Sequence, residues 1–425
     1  MEKIMQTTAQ YEEQLSEKIS TLELLLETQH NDVILSEIIK VINLMATYAI
    51  KSSVGNHLPN LDRLISKVAS VISQKQSRRQ SSDGVSVILA SELYHNGGHT
   101  RQIEDIVDLT KDQTLVVLTD FNGRFLSGQL ELGAIYERFR GASVVVIPNG
   151  DHIDKVFSLT NLINLIAPDK LYVSLHHNDS IGYTAAFSHK IEGLKTFFIH
   201  HADHNPTLGA TLKYDRHLDT SEEYLRNCEE NGQENCLLMP LYVKDRGKKS
   251  GKINNSKIKF ASVGDENKVT FEGPLDHAAR ITNCLKFDSI QTFVHIGNLN
   301  DKSLEKIHFQ LEKNSIDPSR FENITWVPSV WEALLDLNIH SLIATAPLGG
   351  GRTAIEAQGA GIPVLHYSGP VQSIYAIPDL LWTNHEELLT AISMALENHS
   401  EYSIRSREFY EKYHNKELFK NCLSL

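Results

Sequence analysis

The amino-acid sequence predicts an α/β protein in which two Rossmann-like domains face a cleft, with a helical extension before them. One observation behind this prediction is that short apolar runs alternate with helical patterns after about residue 80. Another is that this alternation stops at a polar stretch and then starts again. Because such alternation is typical of βαβ units, each half should contain a parallel sheet that binds ligands at the carboxyl ends of its strands.

The pattern divides the chain into four segments. Residues 1-80 carry apolar side chains three and four positions apart, which predicts the helical extension. Residues 81-245 and 255-400 are the two Rossmann-like domains, and residues 401-425 form a charged helix. Ten strand-like runs support the two domains, and they begin at residues 85, 115, 143, 171 and 196 and again at 257, 291, 324, 341 and 362.

Composition and charge narrow the class of protein. The 425 residues include 41 Lys and Arg against 53 Asp and Glu, and the net charge of −12 argues against a nucleic-acid partner. The four cysteines form no C-x-x-C pair, which argues against a zinc ribbon and suits a reducing cytosol. With no signal-peptide pattern and no apolar run near the roughly 20 residues of a membrane span, the expected location is cytoplasmic.

Two segments leave partner contacts open. The stretch 244-259 is rich in Lys, Asn, Ser and Gly, and this composition predicts a linker. Its basic residues also suit a peripheral contact with anionic lipid. The helices of residues 1-80 either pack on the body of the protein or mediate self-association.

The strongest chemical signal is the glycine-rich run PLGGGRTAIEAQGAGIPVL at 347-365. A strand ends just before it, and three glycines lead into a helix, namely Gly349, Gly350 and Gly351. Backbone amides at such a helix start, with no Cβ atoms in the way, form a cradle for an anion. Arg352 adds a permanent charge suited to phosphate, and Glu356 is a carboxylate suited to ribose hydroxyls. A purely structural glycine turn is the alternative.

This run resembles the donor-binding region of GT-B glycosyltransferases, whose two Rossmann-like domains bind a nucleotide sugar in their cleft. Many members have an acidic residue followed by A-x-x-x-G-x-P-V, as in the run from Glu356 to Val364. The variant is most similar to the branch of protein O-GlcNAc transferases and bacterial cytosolic glucosyltransferases. In that branch hydroxyls and amides three residues before the acid bind pyrophosphate, a spacing that Thr353 matches. Leu348 replaces the second acid of the common retaining pattern, so the stereochemistry of transfer stays open.

The resemblance assigns further residues. A GT-B loop with two glycines approaches the diphosphate and donor sugar, and here it would hold Gly97 and Gly98, with His99 beside them. Lys268 resembles a lysine that many GT-B enzymes place on the donor phosphates, although the usual companion arginine is missing. Trp326 begins the segment where the base rests in this fold, and the last helix commonly crosses back to the first domain. Structural turns remain the alternative for both loops.

Histidines form a third signal, because many of the 20 follow strand patterns in the first domain. Those expected at the carboxyl edge of the sheet are His176, His177, His200, His201 and His204. A histidine beside a carboxylate can be a general base, as inverting transfer requires, so His201, Asp203 and His204 are the predicted catalytic group, with Asp179 also near in sequence. Sugar contacts, structural roles and a metal are the alternatives. Because no D-x-D string occurs, we expect no metal and no cofactor.

Together these residues predict a bacterial surface-glycan type of glycosyltransferase. It would transfer a hexosyl or N-acetylhexosaminyl group from a nucleoside-diphosphate sugar, with a UDP-sugar as the expected donor. Glycan, lipid-linked and protein acceptors all remain open. The alternatives are a nucleotide-sugar 2-epimerase and a non-catalytic binding subunit of the same fold.

Overall fold

The computed structural model describes residues 17–28, 31–52, 57–94, 97–110, 112–201, 205–248, 258–347, 349–368 and 376–424. Over these ranges the chain forms two compact units. One unit ends at Met239 and takes in the chain again from Lys420, and the other runs from Pro240 to Phe419.

The first unit begins with helices, as its sequence pattern predicts. These are α1 (17–28), α2 (Asp32–Ser52) and α3 (Pro59–Gln74). Pro59 at the first position of α3 suits a helix start, where its missing N–H costs nothing. The inner faces of α2 and α3 share one hydrophobic cluster with the first sheet, in which Leu35 and Leu64 pack with Val87. The helical extension is therefore part of the core of this unit.

Helix α2 is long and apolar enough to cross a membrane by length and composition, which qualifies the expectation that no segment reaches that length. Its inner face explains this composition, because Ile38, Ile39 and Ile42 are at most 1% exposed and pack in the core. Core helices of folded units pass the same test, so the result is weak evidence for a membrane span.

The rest of the first unit alternates strands with helices. In chain order they are β1 (Arg79–Gln80), β2 (Ser82–Ala90), α4 (Gly98–Leu109), β3 (Gln113–Leu118), α5 (Leu132–Arg138), β4 (Ser143–Val146), α6 (His152–Ile166), β5 (Pro168–Ser174), α7 (Ser180–Phe187), β6 (Ile191–Glu192), β7 (Lys195–His200), β8 (Arg216–Asp219), α8 (Glu222–Glu230) and β9 (Cys236–Leu238). In the described part, seven parallel strands form the main sheet in the order β4-β3-β2-β5-β7-β8-β9. The chain reverses its direction of travel across the sheet between β2 and β5, which is the topological switch point.

The second unit repeats this plan. Its elements are β10 (Ile258–Val263), α9 (His277–Leu285), β11 (Ile290–Ile296), α10 (Asp301–Lys313), β12 (Phe321–Ile324), α11 (Val330–Asp336), β13 (Ser341–Ile343), α12 (Gly351–Gly359), β14 (Val364–Tyr367), β15 (Leu381–Trp382), α13 (His385–Glu397) and α14 (His399–Tyr413). The described strands pair in parallel in the order β12-β11-β10-β13-β14-β15, with the switch point between β10 and β13. Both units therefore have the doubly wound, Rossmann-like strand order that the sequence predicts.

The division between the units lies earlier than the sequence pattern placed it. The first domain was expected to extend to residue 245, yet the chain from Pro240 belongs to the second unit. Its carbonyl groups explain this, since Leu241 accepts a hydrogen bond from His414 and Val243 accepts one from the Tyr410 hydroxyl. The described part of the basic stretch is therefore fixed to α14, while residues 249–257 lie outside the described ranges.

The last helix, α15 (Lys416–Leu423), begins in the second unit and ends in the first. The Leu423 carbonyl accepts a hydrogen bond from Tyr172 on β5, and Cys422 Sγ donates to the Leu238 carbonyl on β9. The end of the chain is in this way tied to two strands of the first sheet.

Candidate functional site

Histidine side chains gather just beyond the carboxyl ends of β5 and β7, near the switch point of the first sheet. The ring of His201 stacks on that of His99 at a centroid distance of 4.2 Å and on that of His177 at 5.5 Å. The ring of His176 lies 5.8 Å from that of His99. All four residues are partly buried. The structure thus brings together the predicted residues His99, His176, His177 and His201; we call these four the histidine cluster.

Burial keeps the imidazoles of His99, His176 and His201 neutral. It lowers the pKa of His99 to about 4, and burial together with the neighbouring rings lowers the pKa of His176 to about 3. The pKa of His201 lies well below its usual range for the same reasons. A neutral imidazole offers one N–H donor and one nitrogen acceptor, which is the form that binds a sugar hydroxyl or accepts its proton.

A carboxylate that the sequence analysis missed orients His176. The Tyr94 hydroxyl donates to Glu92 Oε2 at 2.7 Å, and His176 Nε2 lies 3.3 Å from the same hydroxyl oxygen. Because the Tyr94 proton goes to Glu92, His176 fits as the donor through Nε2–H, which leaves Nδ1 as the acceptor. Burial raises the pKa of Glu92. Its place directly after β2, at the switch point, is the signal that could have pointed to it.

Asp179, which lies near these histidines in sequence, has a structural position. Asp179 is buried, and its carboxylate accepts hydrogen bonds from the Ser91 and Thr119 hydroxyls, each at 2.6 Å, and from the amide of Gly182. It therefore ties the ends of β2 and β3 to the start of α7 instead of orienting an imidazole. Burial raises its pKa.

His200 also differs from the expectation that it lies with the other histidines. Its ring is buried, and Nδ1 lies 2.9 Å from Asp219 Oδ1 on the neighbouring strand β8. Successive side chains of a strand point to opposite faces, so His200 and His201 separate. Asp203 and His204, the other two members of the predicted catalytic group, lie outside the described residues.

The helical extension supports both histidine loops. On the first loop, the Asn178 carbonyl accepts a hydrogen bond from Asn43 of α2 at 2.7 Å, and the Asn178 amide group donates to Thr47. On the second, Asp62 of α3 accepts hydrogen bonds from the backbone of Gly209 and Thr211. The sequence pattern of residues 1-80 carried no sign of this role, because the contacts join residues more than 100 positions apart.

The glycine loop of the first unit opens α4. Gly97 is the residue before the helix and has φ of +141°, a conformation that favours glycine. A Cβ atom on Gly97 or Gly98 would meet nothing within 4 Å among the described residues, so the start of α4 is open. Arg101, on the first turn, pairs with Glu104 at 3.1 Å.

In the second unit, Lys268 reaches the start of α12. Gly350 precedes the helix, and a Cβ atom at Gly350 would stand 3.7 Å from Lys268 Nζ and would overlap the Thr353 hydroxyl. That hydroxyl donates to the Gly350 carbonyl at 2.8 Å. The amides at the helix start and the lysine ammonium therefore border one space, where an anion would find both partial and full positive charge.

Contacts across the switch point of the second sheet hold this arrangement. Val269 forms a bridge with Pro347, and a Cβ atom on Gly264 would stand 3.1 Å from Thr345 Cγ2. Arg280 of α9 is buried and donates to the Ala346 carbonyl at 3.2 Å. The segments after β10 and β13 are thus packed together, although they are about 80 residues apart in sequence.

Glu356 and Arg352 have partners within the second unit. Glu356 Oε2 accepts a hydrogen bond from the Trp331 amide at 3.1 Å, and its Oε1 lies 3.6 Å from Arg352 Nε. Arg352 also donates to the Tyr242 carbonyl at 3.2 Å. Both residues are partly buried. The carboxylate fixes the segment after β12 at the start of α11.

The two tryptophans of that segment differ in burial. Trp331 is buried in the core, where its indole packs against Gly359 of α12. Trp326, which begins the predicted base-binding segment, is 52% exposed.

Comparisons with known proteins show the fold. No family model and no curated protein matches the chain. Among solved structures, a glycosyltransferase from Rickettsia africae matches with a TM-score of 0.59 at 9% identity, over 80% of this chain and 97% of that one. HepE from Anabaena, solved in complex with UDP, matches with a TM-score of 0.58 at 12% identity, over 80% and 98%. The O-GlcNAc transferase of Thermobaculum terrenum matches with 0.54 at 12%, over 96% and 79%. The chain therefore has the GT-B fold, as the resemblance implied.

Proposed function

We propose that the protein is a glycosyltransferase that uses a nucleoside-diphosphate sugar, with UDP as the nucleotide. The main observation in support of this proposal is the position of Lys268 beside Gly350 at the start of α12. This is where a doubly wound domain binds phosphate. The complexes of HepE with UDP and with UDP-glucose support the choice of nucleotide.

In this proposal the second unit binds the donor. The amides from Gly349 to Thr353 and the Lys268 ammonium hold the diphosphate, with Arg352 adding charge at the edge. Glu356, whose carboxylate is held by the Trp331 amide and lies beside Arg352, would bind the ribose hydroxyls. When the bond between the anomeric carbon and the diphosphate breaks, the nucleotide leaves with the electron pair. Preorganised donors stabilise the negative charge that develops there, so no metal ion is needed.

The first unit would act on the sugars. An acceptor hydroxyl forms the new bond to the anomeric carbon, and its proton passes to a base. We assign this role to the group of His201, Asp203 and His204, with the other imidazoles of the histidine cluster binding sugar hydroxyls. The glycine loop at Gly97 and Gly98 would approach the diphosphate. The rings of His99, His176 and His201 are neutral, so each has a nitrogen that can accept a hydrogen bond from a sugar hydroxyl.

The remaining parts of the proposal concern location and partners. All four cysteines lie in the described part of the chain and are free thiols, which supports a reducing, cytoplasmic location. Exposed Val33, Leu44 and Tyr48 along α2 support self-association, and Lys244 and Lys248 remain exposed for a membrane contact. The acceptor is a glycan, a lipid-linked sugar or a protein, and the transferred group is a hexosyl or N-acetylhexosaminyl group.

Isothermal titration of UDP into the full chain tests the donor site. We expect Lys268→Ala to weaken UDP binding at least about tenfold, since a hydrogen bond to a charged group contributes about 1.5–3 kcal/mol. The matched control is Lys313→Ala, because that lysine is exposed at the far end of α10. Wild-type protein that binds no UDP, or equal affinities for the two variants, would contradict the proposal.

Product analysis separates the proposed transferase from an epimerase. Incubation with UDP-sugars and candidate acceptors is followed by NMR of the sugar anomeric protons. We expect release of UDP with a new glycosidic bond or with slow hydrolysis. Conversion of the UDP-sugar to its 2-epimer without release of UDP would show that the protein is an epimerase and would contradict the transferase proposal.

A further inference from the structure

A second group of polar side chains lies buried in the first unit. It consists of His200 at the end of β7, His217 and Asp219 on β8, and Cys228 on α8. None of these residues is more than 2% exposed, and together they form the only potential metal-binding group of at least three His, Cys, Asp or Glu side chains found among the described residues. The proposed transfer reaction uses none of them.

The ligand atoms of this group already have the spacing of a metal site. Asp219 Oδ1 lies 2.9 Å from His200 Nδ1, 3.3 Å from His217 Nε2 and 3.3 Å from Cys228 Sγ, and Cys228 Sγ lies 3.5 Å from His200 Nδ1. Tetrahedral zinc, with bonds of about 2.1 Å to nitrogen and oxygen and 2.3 Å to sulfur, separates its ligands by about 3.4 Å, or about 3.6 Å where one is sulfur. The separations of His217 from Asp219 and of Cys228 from His200 agree with these values, and the two shorter ones are hydrogen bonds that Asp219 makes to His200 and Cys228 in the absence of an ion.

The hydrogen bonds of the group leave polar atoms unpaired. His217 Nδ1 and Asp219 Oδ2 have no hydrogen-bond partner among the described residues, and His217 Nε2 has the Asp219 carboxylate as its polar neighbour, at 3.3 Å from Oδ1. Buried polar groups in proteins are normally paired, so an unpaired ring nitrogen and an unpaired carboxylate oxygen on residues that are 0% exposed call for an explanation. A metal ion would give His217 a partner, and a divalent cation would balance a carboxylate and a thiolate.

A catalytic role for the same residues does not fit. A nucleophilic cysteine needs partial exposure to meet a substrate, and Cys228 is fully buried. Structural metal sites, in contrast, are closed to solvent and have four protein ligands.

We propose that His200, His217, Asp219 and Cys228 bind one structural zinc ion. Sulfur and imidazole together favour zinc over magnesium or calcium, which prefer oxygen ligands. Cys228 binds as the thiolate and releases its proton to water, and His57, whose Nε2 lies 3.4 Å from Cys228 Sγ, donates a hydrogen bond to the sulfur. The ion would join β7, β8 and α8, and through His57 the segment before α3. It is separate from the donor site and from the histidine cluster.

Metal analysis of tag-free protein, purified without chelators, tests the site. Mass spectrometry of the metal content should give about one zinc ion per chain for the wild type. We expect His217→Gln and Cys228→Ser to lose most of this zinc. The matched controls are His366→Gln and Cys284→Ser, which change a buried histidine and a buried cysteine of the second unit and should keep it.

A cobalt experiment on the wild-type chain covers the case in which these variants do not fold. Metal-free protein, prepared with a chelator, is loaded with Co²⁺, and a charge-transfer band from thiolate to cobalt should appear in the near ultraviolet and disappear on addition of zinc. Zinc should also raise the melting temperature of the metal-free protein. The proposal is overturned if the wild type contains no zinc and neither metal produces a band or a shift, or if the variants retain wild-type zinc.

Discussion

Asp62 holds Thr211 through two hydrogen bonds to one carboxylate oxygen, from the amide at 2.9 Å and from the hydroxyl at 2.7 Å. The other oxygen accepts the Gly209 amide at 2.7 Å. These hydrogen bonds connect α3 of the helical extension to the loop that follows His201. Asp62, to which the sequence analysis gave no role, therefore supports one of the loops that carry the histidine cluster.

The buried carboxyl group of Asp62 should make the stability of the folded protein depend on pH. Burial raises the pKa of Asp62 from 3.8 to about 6 in spite of its hydrogen bonds. Between about pH 4 and pH 6 the folded state keeps a proton that the unfolded state has lost, so the contribution of Asp62 to stability falls as the pH rises through this window. Relative to Asp62→Asn, which does not titrate, the wild type should lose on the order of 3 kcal/mol of unfolding free energy as the pH rises through this window.

Urea unfolding of the full chain at several pH values between about 4 and 8 measures this difference. The control is Asp83→Asn, an exposed aspartate on β2, whose effect should stay small at every pH because its carboxylate is solvated in both states. A constant difference between wild type and Asp62→Asn across the window would contradict the assignment.

Gly350→Ala should damage the proposed donor site without unfolding the protein. The new methyl group would displace the Thr353 hydroxyl and stand close to the Lys268 ammonium, in the space proposed for the diphosphate. We expect UDP affinity to fall at least about tenfold, which corresponds to about 1.4 kcal/mol, with little change in melting temperature. Isothermal titration and thermal unfolding measure the two quantities, and Gly133→Ala on α5, where the space is empty, is the control. Unchanged UDP affinity would contradict the proposal that the start of α12 binds the diphosphate.

The histidine cluster should remain neutral in mildly acidic solution. Ordinary histidines titrate near about pH 6.5, whereas the pKa values of His99 and His176 are about 4 and about 3. NMR of the ring carbon–proton pairs, assigned with His99→Gln and His176→Gln, should show both rings constant from about pH 8 to about pH 5. Urea-unfolded protein, in which every histidine titrates normally, is the reference. Titration of either ring near about pH 6.5 in the folded protein would disprove the prediction.

Gly359→Ala should destabilise the second unit. A Cβ atom there would overlap the Trp331 indole, and forcing extra volume into a packed core costs about 1–3 kcal/mol. The same change at Gly133, where nothing lies within 4 Å, should be neutral or stabilising by up to about 1 kcal/mol from helix propensity. Thermal or urea unfolding should therefore show effects of opposite sign, and a stabilising Gly359→Ala would refute this packing account.

Strands with a run of branched or aromatic residues were predictable from the sequence. The run that begins at Val85, for example, lies within β2, whose buried residues are almost all apolar. Strand β8 was missed because its sequence, Arg-His-Leu-Asp, has polar residues at buried positions. Its strand character comes from pairing with β7 and from the cluster around Asp219, which no local pattern shows.

The parts of the site that depend on the order of neighbouring elements in the sequence were predictable. The parts that depend on which face of a strand a side chain occupies were not. Gly350 follows a strand and opens a helix, and this order alone predicts an anion cradle. The separation of His200 from His201, in contrast, depends on which face of β7 each side chain takes. Likewise, the Glu92–Tyr94–His176 chain joins segments more than 80 residues apart.

The attachment of the segment from Pro240 to α14 has a practical consequence for dissecting this protein. Val243 packs in the core of the second unit, and the Trp331 indole donates to the Gly247 carbonyl at 2.7 Å. A fragment that starts at residue 255, where the composition changes, would expose that indole and leave an unfilled cavity. Protein cut between Met239 and Pro240 keeps these contacts, so this is where the chain should be divided to obtain the second unit by itself.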